Sequence, residues 1–214
     1  MGAGTPADDS TGPPTLREAI EGLVVSLFII NGLVRIGRMT SLDGWIQTLE
    51  LAAWTLPAWL IALRRGRDPL EFYALDRRPR RLGESLVALL AVAAWAALMQ
   101  LWLLPRDTLP AASELLRTLI LQIALVAFPE ELLFRGLAQP ALARRGPVVG
   151  IVGGAVLFAL AHVIVLPSPD RLLVVFPGLL FGLLRERTGS LWPSILLHAL
   201  CNLVYFVWPL SALL

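Results

Sequence analysis

Three short polar clusters interrupt otherwise apolar stretches of this 214-residue sequence, each with helical spacing. They are Pro129-Glu130-Glu131-Leu132-Leu133-Phe134-Arg135-Gly136, Phe158-Ala159-Leu160-Ala161-His162 and His198-Ala199-Leu200-Cys201-Asn202. On a helix Glu131 and Arg135, four apart, share a face and can pair, while Glu130 points about 100° away and is free of that pair. His198 and Asn202 are also four apart and share a face. A carboxylate and an imidazole together can activate water, the first taking the proton and the second positioning or sharing it. A second imidazole and an amide can donate to the oxyanion that forms when such a water attacks an amide carbonyl. These are the parts of a hydrolase that works without a covalent intermediate.

Each cluster also has a plainer structural reading. Pro129 followed by two acids suits a helix N-terminus, with the proline at its first position and the acids set against the dipole. A lone His162 suits a packing residue, and His198 with Asn202 suits bonding between neighbouring helices. The three together favour chemistry, because both histidines of the chain lie in apolar stretches on separate helices and the acid pair closes a third. Cys201 is the only thiol, so no intrachain disulfide can form, and a small apolar packing role suits it better than that of a nucleophile. Two rivals come from other classes. One is a non-enzymatic membrane scaffold or immunity protein in which these residues join helices. The other is a proton-coupled carrier that uses the same Glu and His as a relay. No internal repeat is evident, which does not support a carrier built by inverted duplication.

The elements that position these residues must be membrane helices. Apolar residues make up 57% of the chain and charged residues 16%, against about 45–50% and about 25% in soluble domains, and the mean hydropathy is +0.72. A span needs roughly 20 mostly apolar residues. Seven stretches qualify: Leu16–Val34, Trp45–Leu63, Leu82–Leu104, Ala111–Phe128, Val148–Leu166, Leu172–Leu184 and Leu191–Leu210. The first carries Glu18 and Glu21 near its start, and the sixth is short and interrupted by Pro177 and Gly178. The expected architecture is an all-α bundle of about seven spans over 16–214, with a motif core at 111–210 and a disordered tail at 1–15. The tail has no basic n-region, so the first stretch reads as a retained span.

All basic residues are arginines, and their distribution sets the orientation. Twelve fall on one side: Arg17, seven between Arg64 and Arg81, Arg144, Arg145, Arg185 and Arg187. Four fall on the other: Arg35, Arg38, Arg106 and Arg171. The arginine-rich side reads as cytoplasmic, with the N-terminus inside and the C-terminus outside. Gly136–Arg145 reads as a connector on the cytoplasmic surface, and the seven tryptophans mostly suit interfacial anchoring.

EELLFR, FALAH and HALCN, in this order and on three apolar stretches, resemble the CPBP family of CAAX proteases and bacteriocin-processing enzymes (also called Abi). That family includes the type II CAAX prenyl endopeptidases, and its pattern is EExxxR, FxxxH and HxxxN or HxxxD. The resemblance covers roughly Ala111 to Leu210. It implies an intramembrane protease of glutamic type in which Glu130 is catalytic, His162 its partner on water, and His198 with Asn202 the oxyanion donors. Glu131 and Arg135 then support the site's geometry and Phe158 packs beside the histidine. Many relatives carry a metalloprotease label, so the alternative is a zinc enzyme with Glu130, His162 and His198 as ligands. The metal-free reading suits Asn202 better, since an amide is a poor zinc ligand and a good oxyanion donor. The implied partners are the lipid bilayer and a protein or peptide with a membrane-associated segment, with no nucleic acid. That segment would be a CAAX-like tail, a leader peptide or a C-terminal sorting anchor of the myxosortase type. The expected location is a bacterial inner membrane.

One expectation conflicts with the others. With the fourth span ending at Phe128 and the fifth beginning at Val148, Glu130 and His162 lie at different depths. They meet only if the fourth helix continues through Glu130 or the fifth begins before Val148.

Overall fold

The computed structural model of the chain describes residues 12–39, 43–103 and 110–207. The tail up to residue 11, Arg106, and Trp208 with the end of the last apolar stretch lie outside the described residues, as do the side chains of Trp45, Trp95 and Trp102.

The described residues form helices and no strand. Helix α1 spans Leu16–Met39, α2 Asp43–Arg64, the short α3 Pro69–Phe72 and α4 Leu82–Leu103. Helix α5 runs without a break over Ala112–Ala143, and α6 covers Pro147–Val165. A 3₁₀ turn at Pro169–Val174 leads into α7, Val175–Thr188, and α8 is Trp192–Val207. Local chemistry sets several ends. Thr15 and Glu18 form a capping box at the start of α1: the Thr15 amide and hydroxyl donate to the carboxylate, and the Glu18 amide donates back to the hydroxyl. Asp68 caps α3 ahead of Pro69. At the end of α7, Gly189 takes a left-handed φ of 69° and returns its amide to Arg185 O.

Large apolar side chains cover the outward faces: Phe28 is 81% exposed, Val148 69% and Val87 67%. Apolar exposure on this scale suits lipid and not water. Ala112–Ala143 and Pro147–Val165 are long and apolar enough to cross a membrane, while Leu51–Arg64, Leu82–Ala94 and Trp192–Val207 are apolar but shorter.

The main correction to the sequence-based expectations lies in α5. The span does not stop at Phe128, Pro129 does not begin a helix, and Gly136–Arg145 is not a surface connector as far as Ala143. Proline lacks the N–H that an α-helix requires, and this helix absorbs the fault in wide turns. Gln122–Ala127 and Leu132–Ala138 are π-helical: Phe128 N–H donates to Ile123 O, and Gln139 N–H to Phe134 O, each five residues back. Burial then holds the helix together, since Leu132, Leu133, Phe134, Leu137 and Ala138 are fully enclosed. Leu137 packs on Gly22 of α1, where a methyl group would come within 2.7 Å of it. Trp54 of α2, expected at an interface, lies tilted against Phe134 with ring centroids 5.9 Å apart. Tyr73 covers Gly136 and donates its hydroxyl to Ala58 O.

The continuous helix removes the depth conflict. Glu130 lies 13 residues before the end of α5 and His162 15 residues after the start of α6. At 1.5 Å per residue these are about 20 Å and about 22 Å from the α5–α6 turn.

Candidate active site

Helix α5 supplies a buried ion pair on which the site is built. Glu131 and Arg135 have side chains that are 0% exposed, and Arg135 NH1 donates to Glu131 Oε1 at 2.8 Å. Arg135 NH2 donates to Gly178 O at 2.9 Å, and the guanidinium lies over Phe158 and Phe181, 4.5 Å and 5.2 Å from their ring centroids. A cation taken fully out of water needs this company: an acid, a carbonyl and two ring faces. Gly178 is glycine because α7 comes so close, a Cβ there falling 3.2 Å from Arg135 NH2 and 3.3 Å from Ala155 Cβ. One turn further along, Gln139 Nε2 donates to Gly182 O at 3.0 Å.

The same carboxylate orients a histidine of α8. His198 Nδ1 lies 2.9 Å from Glu131 Oε1, and because the carboxylate accepts, Nδ1 is the donor and Nε2 turns to the opposite side. Phe181 stacks on this imidazole at 4.8 Å and 17°, and Phe158 meets it edge-on at 5.5 Å. On α6, His162 Nδ1 donates to Phe158 O at 3.0 Å, which likewise leaves Nε2 pointing away from its own helix.

Both Nε2 atoms face Glu130. Its Oε2 is 3.9 Å from His162 Nε2 and 3.8 Å from His198 Nε2, too far for direct hydrogen bonds and close to the spacing a shared water oxygen spans. Among the described residues Glu130 Oε2 has no hydrogen-bond partner. Side-chain exposure is 12% for Glu130, 25% for His162 and 3% for His198, so the way in lies on the His162 side.

Glu130, Glu131, Arg135, Phe158, His162 and His198 thus come together from three helices. Asn202 stands one turn beyond His198, with Nδ2 donating to Gln122 Oε1 at 2.9 Å. Cys201 is half-buried and packs against the core. The residues that sequence reasoning missed are Gln122, Gln139, Gly178 and Phe181. Gln139 continues the Glu131–Arg135 row by another four residues, and Gln122 is a lone amide in an apolar run, so both left a signal. Phe181 and Gly178 left none, because their roles depend on how α7 packs.

The spacing of Glu130 from the two imidazoles is wider than a tetrahedral zinc ion would set. Tetrahedral ligands at about 2.0–2.1 Å from the metal lie about 3.4 Å from one another. Glu130 Oε2 stands further than that from both imidazole nitrogens. Among the described residues no group of three His, Cys, Asp or Glu is set to hold a metal ion.

The fold and site are those of an all-α membrane protein with a buried glutamate–histidine centre. Residues 111–204 match the family of type II CAAX prenyl endopeptidase Rce1-like proteins, in agreement with the motif resemblance. The family is one of proteases, which brings with it a peptide substrate and a membrane setting. No curated protein and no solved structure matches the chain.

Proposed function

We propose that this protein is a glutamic-type intramembrane endopeptidase that hydrolyses a peptide bond of a membrane-associated substrate with water. The observation that carries this reading is the convergence of His162 Nε2 and His198 Nε2, from different helices, on the unpartnered Oε2 of Glu130. A water held there by Glu130 and His162 attacks the peptide carbonyl as Glu130 takes its proton. The oxyanion is received by Asn202 and by an Nε2–H of His198, whose ring is oriented by Glu131 behind Nδ1. Glu130 then returns the proton to the leaving amine. His162, with Nδ1 held by Phe158 O, presents an acceptor to the water and keeps it on the carboxylate.

The seven apolar stretches suit about seven spans, and the arginine distribution suits an N-terminus inside and a C-terminus outside. The favoured substrate is a C-terminal sorting or anchor segment of the myxosortase type, and Glu130→Ala offers a trap to capture it.

The test is cleavage of a peptide library by the purified protein in detergent. Glu130→Ala and His162→Ala should each lower turnover at least about 10³-fold, while Cys201→Ala and a metal chelator leave it unchanged. Cleavage that survives Glu130→Ala removes the mechanism. Loss on chelation that added zinc restores would favour the metal-dependent version, and a wild type that cleaves nothing would favour a scaffold.

A further inference from the structure

The oxyanion donor of the proposed mechanism is held by a residue of the base's own helix. Asn202 Nδ2 donates to Gln122 Oε1 at 2.9 Å, tying α8 to the first wide turn of α5. Both residues are half-buried on apolar helices, where an amide left without a partner is costly. A donor helps only if it already points where charge will develop, and an asparagine amide that swings freely does not. With one N–H committed to Gln122, the amide plane is fixed and the direction of the second N–H is fixed with it.

The wide turn is what makes this geometry available. Gln122 and Glu130 are eight residues apart, which on a regular α-helix, at 100° per residue, separates them by about 80°. The π-helical turn takes up one residue and brings them to within about 20°, so that one face of α5 carries both.

We infer that Gln122 is a positioning residue for hydrolysis, fixing the Asn202 amide towards the carbonyl that water attacks. This rests on the peptidase reading above. Gln122 acts through Asn202 and takes no proton.

The experiment measures steady-state kinetics of the full-length protein with Gln122→Leu, Gln122→Met, Asn202→Ala and the double variant Gln122→Leu/Asn202→Ala. Each leucine or methionine variant should lower kcat by about 10–100-fold with KM within about twofold. In the Asn202→Ala background, Gln122→Leu should add almost nothing. A packing role gives the opposite pattern: the same fractional loss in both backgrounds. Gln122 variants at wild-type kcat, with Glu130→Ala still inactive, overturn this inference and leave the peptidase intact. A wild type without cleavage overturns both.

Discussion

Glu18 and Arg65 meet where the start of α1 lies beside the end of α2, through two bonds of 2.7 Å. Glu131 and Arg135 meet in the middle of the bundle at 2.8 Å. The bond lengths are nearly equal and the surroundings are not. At the first site the side chains are 8% and 23% exposed, Thr15 also donates to Glu18, and Arg65 donates to Gly12 O as well. At the second both are sealed, and among the described residues Glu131 Oε2 and Arg135 Nε have no hydrogen-bond partner. The outer pair ties a helix end to its neighbour. The inner pair is dispensable for neither charge nor geometry, because the oxygen that holds Arg135 also orients His198.

Breaking the inner pair is therefore expected to have the largest effect. Glu131→Gln leaves a buried guanidinium without a counter-charge, a loss of about 3–5 kcal/mol that should lower the melting temperature by about 10 °C and take turnover with it. Removing both charges sharpens the contrast. Glu131→Leu/Arg135→Met should recover most of the stability, since a buried ion pair replaced by apolar groups is often neutral, yet cleavage should stay lost because His198 has no anchor. Recovered cleavage would reduce the pair to a structural one. The smallest effect belongs to the outer pair. Arg65→Gln should cost about 1 kcal/mol or less in thermal unfolding, and the difference should shrink as salt is added. A loss as large as that of Glu131→Gln would erase the distinction between the two sites.

The residues of the inner site were legible because charge stands out in apolar sequence, where each Glu, Arg or His needs a reason. Spacing of four also identified the Glu131–Arg135 face before any packing was known. The course of α5 was harder to read. Pro129 carries the usual signal of a helix start, and nothing local shows that two wide turns carry the chain past it to Ala143. That single boundary set Glu130 and His162 at different depths. The aromatic stack on His198 was equally hidden, since Phe181 lies in α7 and its partner in α8. Periodicity within one helix carries no information about which ring of another helix will meet it.

The seam between α5 and α7 limits how the protein can open. Arg135 and Gln139, four apart, grip the carbonyls of Gly178 and Gly182, also four apart, so the two helices engage like teeth at a pitch of one turn. Sliding by part of a turn would release both bonds at once and leave Arg135 with Glu131 of its own helix. These two helices are therefore coupled, and the more open rim of the site lies away from the seam, at His162, three residues before α6 ends at Val165.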